Sequence, residues 1–254
     1  MSERLTIALP VLNEESVLRR SVESVIQAAR GLTDTVTSVV IADNGSTDRT
    51  EQIGRQLAAE HSEVHYVRLA ERGKGLAVFA AWDVAPADIY AFMDIDLSTD
   101  LAALPALVAA VRRSGGMAIG SRYHSGSRVE RSWSRRLFSF GYRTLLHTAL
   151  RTSVHDAPCG FKAISRAVFE FVVPKVEDRR WFFDTELIVR AERAGFPVVE
   201  IPVVWREQAQ AGRKSRVNAP KLAWEYTRHV LDLRRKMNRF KKTQDERHKT
   251  QGLL

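Results

Sequence analysis

The chain has 254 residues, of which 44% are hydrophobic and 27% charged, and its formal net charge is +9. This composition is ordinary for a folded protein and excludes intrinsically disordered, collagen-like and low-complexity chains. The single cysteine, Cys159, excludes an internal disulfide framework and favours a reducing compartment. No apolar run approaches the roughly 18–20 residues that a membrane-spanning helix needs. We therefore expect a cytoplasmic α/β protein of one large domain or two small ones.

Short apolar runs alternate with segments of helical periodicity over the first hundred residues. Runs rich in β-branched residues indicate strands, and apolar residues at spacings of three and four indicate helices. In chain order we predict a strand at 5–9, a helix at 14–30, a strand at 36–42, a helix at 50–60, a strand at 64–69, a helix at 75–84 and a strand at 89–93. This alternation predicts a mostly parallel sheet flanked by helices. Ligands bind such sheets beyond the carboxyl ends of the strands.

Polar motifs stand at these predicted strand ends and helix starts. Asp94-Ile95-Asp96 places two carboxylates where both can reach one hard cation such as Mg²⁺ or Mn²⁺, although the same triplet is common in exposed turns. Residues 43–48, Asp-Asn-Gly-Ser-Thr-Asp, also suit a capped turn with an N-cap at Ser46 or Asp48. Arg72-Gly73-Lys74-Gly75 begins a helix with two cations and small residues, which favours phosphate.

Two later segments have the pattern of amphipathic helices. Residues 132–150 mix large apolar residues with three arginines and follow Arg131, which indicates either a core helix or a helix at a lipid interface. Residues 213–254 carry the whole +9, while residues 1–212 are neutral. Within that tail an apolar face recurs at Leu222, Tyr226, Val230, Leu233 and Met237. Such a basic amphipathic helix either lies on an anionic membrane surface or packs on the domain, and no motif for nucleic acid accompanies it.

Read in order, the motifs resemble those of family-2 glycosyltransferases, and most closely the dolichyl- or polyprenyl-phosphate sugar synthases. The match runs from about residue 5 to 217. The segments that carry it are Pro10–Glu14, Asp43–Ser46, Arg72–Gly75, Met93–Ser98, Gly120–Tyr123, Asp156–Lys162, Arg180–Leu187 and Trp205–Glu207. Each segment alone is weak, but their ordered set is specific.

The resemblance implies a GT-A fold that binds a nucleotide-diphospho-sugar. It implies site residues of four kinds. Nucleotide-sugar contacts fall to Pro10, Leu12, Glu14, Ile41, Asp43, Lys74, Asp94, Ile95, Asp96 and Arg122. The metal, Mg²⁺ or Mn²⁺, is held by Asp94 and Asp96. Catalytic roles fall to Asp96, Asp184, Arg122 and Lys162. The acceptor phosphate faces Arg206, Arg213 and Arg216.

The expected reaction is inverting, metal-dependent transfer of a hexose to a polyprenyl phosphate. A phosphate monoester is already anionic at neutral pH, so this acceptor needs cations more than a general base. Asp184 is then either an orienting group or, with a glycan or small-molecule hydroxyl as acceptor, a general base. The other alternative is a non-catalytic, basic membrane-binding protein. The motifs favour UDP-glucose over GDP-mannose as donor.

The resemblance and the charge pattern together predict the organisation of the chain. We expect a glycosyltransferase domain over residues 1–217 and a basic amphipathic helix and tail over residues 218–254. The protein is expected on the cytoplasmic face of a membrane as a peripheral protein. A separate translocase or a downstream glycosyltransferase is expected to take up the product.

Overall fold

A computed structural model describes residues 2–130, 133–206 and 226–237, with backbone alone at 133–140 and 142. Its strands are β1 (Glu3–Val11), β2 (Thr35–Asp43), β3 (Val64–Arg68), β4 (Ile89–Met93), β5 (Met117–Ser121), β6 (Arg128–Glu130), β7 (Phe161–Ser165), β8 (Val198–Pro202) and β9 (Val204–Arg206). Its helices are α1 (Leu18–Arg30), α2 (Thr50–Glu60), α3 (Lys74–Val84), α4 (Leu104–Ser114), α5 (Trp133–Leu150), α6 (Arg166–Val172) and α7 (Phe183–Arg193). Short 3₁₀ turns precede α4 and follow α6.

A seven-stranded sheet forms the core, in the order β3-β2-β1-β4-β7-β5-β8. All its neighbouring strands are parallel except for β7, which runs antiparallel to both β4 and β5. The strands β6 and β9 form a separate parallel pair. The predicted α/β fold with a mostly parallel sheet is therefore confirmed.

The first seven predicted elements are all present, with small differences at their ends. The strand predicted to stop before Pro10 continues to Val11, and the helix predicted from Glu14 begins at Leu18. The N-cap predicted at Ser46 or Asp48 is wrong: the N-cap residue of α2 is Arg49, which makes no side-chain cap bond, and Asp48 Oδ1 accepts from the Thr50 amide at 2.9 Å. Ser46 instead accepts from the Asn13 amide, at 2.9 Å, and so ties this turn to the one after β1.

The sheet direction explains where the site lies. Because β1, β2 and β4 are parallel neighbours, the turns that follow them meet at one edge. Since β7 is antiparallel to β4, its first residues lie at that same edge, and Lys162 is in register with Phe92. The segment leading into β7 therefore reaches the turn that follows β4.

Aromatic side chains pack α3, α6 and α7 against β4. Trp82 is almost fully buried, and its indole N–H donates to the Ala91 carbonyl at 2.9 Å. The Tyr90 and Phe169 rings stack with centroids 4.2 Å apart, and the Phe183 ring lies 5.4 Å from that of Phe92. This apolar cluster packs beneath the edge of the sheet at which the polar motifs meet.

Contacts within the chain group it into two units, residues 1–131 with 154–209 and residues 132–153 with 210–254. The sequence predicted one boundary, after residue 217, and so placed α5 in the first domain, whereas these contacts group α5 with residues 210–254. In the second unit, residues 226–237 are helical, and the predicted apolar face is buried at Val230, Leu233 and Met237. Among the described helices, none is long and apolar enough to cross a membrane.

Candidate active site

Asp43 ends β2 and is fully buried, and its carboxylate is bonded on both oxygens. Oδ1 accepts from the Ser46 amide at 2.8 Å, and Oδ2 accepts from the Tyr66 hydroxyl at 2.6 Å and from Arg68 at 3.2 Å. Burial, followed by the bond to Asp43, raises the pKa of Tyr66 above its ordinary value. Asp43 therefore fixes the turn after β2 from within.

The turn after β1 is held against the turn after β2 by side-chain bonds. Asn13 has a positive φ of 56°, in the left-handed region that asparagine tolerates. Its Oδ1 accepts from the Thr47 amide at 2.8 Å, and the Glu14 amide donates to the Thr50 hydroxyl at 2.8 Å. Pro10, Leu12 and Glu14 are all partly exposed along this turn, whereas Ile41 is completely buried inside β2.

Asp94, Ile95 and Asp96 form a tight turn directly after β4. Ile95 is buried, while Asp94 and Asp96 are partly exposed. Asp96 Oδ1 accepts from the Ser98 amide at 3.0 Å. Leu97 has a positive φ of 51°, a conformation that is costly for a leucine and is found most often at functional sites.

Lys74, the first residue of α3, reaches this turn. Its Nζ lies 2.6 Å from Asp94 Oδ1, and its side chain is only 10% exposed. Burial alone would lower the pKa of Lys74, but the negative charges of Asp94, Asp184 and Asp96 outweigh burial and raise that pKa. The structure therefore brings the predicted Lys74, Asp94 and Asp96 together as one charged cluster.

The segment before β7 closes over the same turn at Gly160. The Gly160 carbonyl accepts from the Asp94 amide at 2.9 Å. A Cβ on Gly160 would overlap the Asp94 carboxylate, so this position accepts only glycine without a shift. Burial raises the pKa of the neighbouring Cys159 thiol to about 12, so this thiol stays protonated and unreactive at neutral pH.

Arg122, which follows β5, forms an ion pair with Asp156 in the segment before β7. Its Nε and Nη2 bind the two Asp156 oxygens at 2.8 and 2.7 Å, and its amide donates to Oδ2 at 2.7 Å. Burial opposes the charged form of Arg122, but the bonds to the fully buried Asp156 prevail and raise its pKa. The Arg122 guanidinium also lies 5.5 Å from the Trp205 ring centroid.

Lys162 and Asp184 form a second, more deeply buried ion pair. Lys162 Nζ lies 3.1 Å from Asp184 Oδ2 and also donates to the Cys159 carbonyl. The Lys162 side chain is 1% exposed, so a phosphate would reach it only after this pair opens. Asp184 Oδ1 accepts from the Thr185 amide at 2.7 Å.

Glu186, one residue beyond Thr185 on α7, anchors the loop at residues 177–182. Its Oε2 accepts from the amides of Glu177 and Asp178 at 3.1 and 2.8 Å, and its Oε1 accepts from Arg190 at 2.7 Å. The same loop carries Trp181, which is 66% exposed and has its ring centroid 5.0 Å from Lys74 Nζ.

A cleft lies at the end of β4. Its walls are Met93, Asp94, Asp96, Leu97, Ser98, Thr99, Arg122, Pro158, Cys159, Gly160, Phe161 and Trp205. Of the predicted acceptor-phosphate residues, Arg206 is exposed on β9 with Nε 3.6 Å from Glu130. The other two, Arg213 and Arg216, lie outside the described residues.

A family model described as glycosyl transferase family 2 matches residues 6–172, which is well over half of the chain. The chain belongs to glycosyl transferase family 2. The matched range runs from within β1 to the end of α6 and includes both carboxylates of the turn after β4. The resemblance drawn from the ordered motifs is thus confirmed, and this family-2 glycosyltransferase is an enzyme.

Three curated relatives show how the match is distributed. Glycosyltransferase AglD of Haloferax volcanii is 36% identical over 204 residues, which cover 79% of this chain but only 33% of AglD. Polyprenol monophosphomannose synthase of Mycolicibacterium smegmatis is 30% identical over 214 residues, covering 82% of this chain and 79% of the relative. Dolichyl-phosphate beta-glucosyltransferase of Saccharomyces cerevisiae is 26% identical over 223 residues, covering 80% and 67% respectively.

A solved structure supports the fold of this family-2 glycosyltransferase. Glucosyl-3-phosphoglycerate synthase from Mycobacterium tuberculosis, in complex with Mn²⁺, UDP-glucose and phosphoglyceric acid, is similar with a TM-score of 0.63. The likeness covers 91% of this chain and 78% of that one at 21% sequence identity. The fold is therefore of the GT-A kind, with its mostly parallel central sheet flanked by helices.

The carboxylates of this family-2 glycosyltransferase fit a divalent metal. Asp94 and Asp96 carry carboxylate oxygens, and Mg²⁺ or Mn²⁺ is usually held by one or two carboxylates together with water and substrate phosphates. Because Gly160 has no side chain, the Asp94 carboxylate can occupy the place that a Cβ would take. Within the described residues no cluster of three or more His, Cys, Asp and Glu forms a complete cage, and this chemistry does not require one.

Sequence reasoning gave no role to Asp156, Gly160 or Glu186, although the motifs contain all three. Asp156 matters because it is the buried partner of Arg122, and Gly160 because it packs on Asp94. Glu186 matters because it anchors the loop that carries Trp181. The sequence marks each of them as a charged residue or a glycine within a largely apolar segment. It does not show which residue each one contacts, because most of those contacts are distant in sequence.

Proposed function

We propose that this enzyme transfers a hexose, with glucose favoured, from a nucleotide-diphospho-sugar to a polyprenyl phosphate, with inversion at the sugar. The observation that carries the proposal is the charged cluster at the end of β4. There Asp94 and Asp96 stand beside the buried ammonium of Lys74, and Arg122 lines the same cleft. Two anionic substrates need cations and a metal between them, and this cluster combines both.

The state of Asp184 supports a phosphate acceptor over a hydroxyl. Its carboxylate is almost buried and is paired with the Lys162 ammonium at 3.1 Å. A carboxylate held in this way is a weak general base, because taking a proton would leave Lys162 buried without its counter-charge. A phosphate acceptor is ionised beforehand and needs no base.

In this reaction the chain's own residues bind and orient. Asp94 and Asp96 would hold Mg²⁺ or Mn²⁺, which when bound neutralises the diphosphate leaving group. The bonds from Asp43 and Asn13 fix the two turns proposed to receive the nucleotide. Arg122 is held by Asp156, so its guanidinium lines the cleft in a fixed orientation rather than as a mobile side chain.

The names of the relatives support a polyprenyl phosphate acceptor, but they differ in the sugar that is transferred. One is named for dolichyl phosphate and glucose, and another for a polyprenol and mannose. We favour glucose from the motifs at residues 156–162 and 180–187. Because AglD is about three times longer than the matched region, its whole activity is not carried over to this chain.

We also propose that the enzyme works on the cytoplasmic face of a membrane. The acceptor class is a lipid, and the chain's excess positive charge is confined to residues 213–254. A basic segment near an anionic surface gains about 1 kcal/mol for each well-placed basic residue. A translocase or a second glycosyltransferase would then use the product.

The proposal is tested by supplying purified enzyme and Mn²⁺ with radiolabelled UDP-glucose or GDP-mannose and polyprenyl phosphate in detergent. We expect label to enter the organic phase from one donor, UDP-glucose by preference. Asp96→Ala should lose this transfer, whereas Asp100→Asn, a change at an exposed aspartate that caps only the Ala102 amide, should keep it. Nucleotide released without organic-phase label would move the acceptor to a hydroxyl.

A further inference from the structure

The Lys74 ammonium is paired with the Asp94 carboxylate, to which a metal would bind. Its Nζ lies 2.6 Å from Asp94 Oδ1, and the Asp94 side chain is otherwise 43% exposed. Lys74 is not a loose surface lysine. Its ammonium is enclosed by the rings of Phe92 and Trp181, with centroids 5.7 and 5.0 Å away. The ion pair is therefore built into the fold rather than formed by chance at the surface.

The surrounding charges keep this ammonium in place. Asp184 and Asp96 both attract it in addition to Asp94. Lys74 also begins α3, and the two amides that follow it donate to the carbonyls of Arg180 and Arg179 at 3.0 and 2.9 Å. The backbone that carries Lys74 is thus fixed to the loop beside the cleft.

We propose that a divalent metal must displace the Lys74 ammonium from Asp94 before it can bind there. The displaced ammonium then pairs with the diphosphate of a donor. This inference rests on the metal role of Asp94 in the proposed function. Without a nucleotide, the metal meets an ammonium already on its ligand and binds weakly. With a nucleoside diphosphate, Lys74 has a new anionic partner, so metal and nucleotide strengthen each other's binding.

The physical basis is the repulsion of two cations at one carboxylate. A unit positive charge a few ångström from a divalent ion lowers the affinity of that ion substantially, even with solvent screening. A diphosphate brings negative charge that removes this repulsion. By linkage, the factor by which nucleotide improves metal binding equals the factor by which metal improves nucleotide binding.

The test measures Mn²⁺ binding to the full chain by electron paramagnetic resonance of free Mn²⁺, with no donor or acceptor. We expect Lys74→Met to bind Mn²⁺ roughly tenfold more tightly than the wild type, as removal of one nearby positive charge predicts. The matched control is Arg72→Met, which removes an exposed charge two residues away whose side chain contacts the Gly45 carbonyl. Its Mn²⁺ affinity should change by less than about twofold, because exposed charges are screened.

A second titration adds UDP. Its presence should strengthen Mn²⁺ binding much more in the wild type than in Lys74→Met, and Lys74→Arg should resemble the wild type. Unchanged or weaker Mn²⁺ binding in folded Lys74→Met would overturn the inference. Lys74→Gln offers a second uncharged variant if the methionine variant does not fold. Neither titration contains an acceptor, so a negative result for Lys74 leaves the polyprenyl phosphate proposal standing. If Asp96→Ala does not weaken Mn²⁺ binding, the metal role on which both proposals rest is wrong.

Discussion

Three aspartates of the site differ in what their carboxylates contact. Asp94 pairs with Lys74, Asp96 accepts from the Ser98 amide, and Asp184 is enclosed with Lys162. Asp94 and Asp96 remain partly exposed, while Asp184 is nearly buried. The first two are therefore placed to meet a ligand, and the third is placed to hold other groups in position.

This difference predicts the effect of Asp184→Asn. With a phosphate acceptor the rate should fall by less than about 100-fold, because no proton needs to be taken from the acceptor, whereas loss of a true general base costs about 10²–10⁴-fold. The measurement is single-turnover transfer to polyprenyl phosphate. The double variant Asp184→Asn with Lys162→Met removes both buried charges and should recover stability lost in the single variant. A loss of about 10²-fold or more in a folded variant would make Asp184 the base.

Gly160 predicts a second residue-scale effect. In Gly160→Ala the new methyl group overlaps the Asp94 carboxylate and must push it out of place. We expect the rate to fall by about 100-fold or more, the order expected for misplaced catalytic groups, with weaker Mn²⁺ binding. The control is Gly141→Ala, since a Cβ at that helical position meets no atom of the described residues within 4 Å. Equal activity of the two variants would show that Asp94 need not stay where it is.

At the level of elements, the Arg122–Asp156 pair joins the end of β5 to the segment that enters β7. Asp156 is fully buried and accepts three bonds from Arg122. The amide of Asp156 also donates to Glu200 on β8 at 3.0 Å. Asp156 thus links the end of β5 through its carboxylate and β8 through its amide to the segment that enters β7.

Asp156→Ala should therefore lower the free energy of unfolding by about 3–5 kcal/mol, because it leaves the buried Arg122 without its counter-charge. Urea unfolding measures this change. The matched comparison is Arg19→Ala, which breaks an exposed pair with Glu60 at 2.6 Å and should cost less than about 1 kcal/mol. A loss for Asp156→Ala no greater than for Arg19→Ala would mean that solvent reaches Arg122.

Local pattern was enough to predict the strands and helices of the first hundred residues. The periodicities at 50–60 and 89–93 gave the bounds of α2 and β4 without error. The antiparallel direction of β7 was not readable, since nothing local in residues 161–165 records which neighbours they pair with. For the same reason the partners of Lys162 and Arg122 could not be read, although both residues were singled out. Burial of Ile41 follows from its place in a strand covered on both faces.

At the scale of the whole molecule, charge is segregated. Residues 1–212 are neutral, and the basic excess lies in residues 213–254. In the described part of that segment, Val230, Leu233 and Met237 are buried, while Arg234, Arg235 and Lys236 are exposed. A surface with this polarity suits anionic lipid headgroups.

Replacing five basic residues with glutamine in the full chain tests this proposal. The residues are Arg234, Arg235, Lys236, Lys241 and Lys242. The wild type should sediment with anionic vesicles at low salt and be released at high salt, because screening weakens the attraction. The variant should bind at least tenfold more weakly, since each basic residue contributes about 1 kcal/mol. Equal binding of both proteins to neutral vesicles is the control, and equal binding to anionic vesicles would refute the membrane role of these charges.

Phosphorus NMR of the purified product shows whether the sugar is joined to the lipid phosphate. The enzyme would be incubated with Mn²⁺, UDP-glucose and polyprenyl phosphate, and the lipid then extracted. We expect the phosphomonoester resonance to be replaced by that of a phosphodiester, which no longer shifts with pH through the second ionisation near ~6. If the lipid phosphate remains a monoester while UDP is released, the sugar is transferred to another acceptor and the proposed function is wrong.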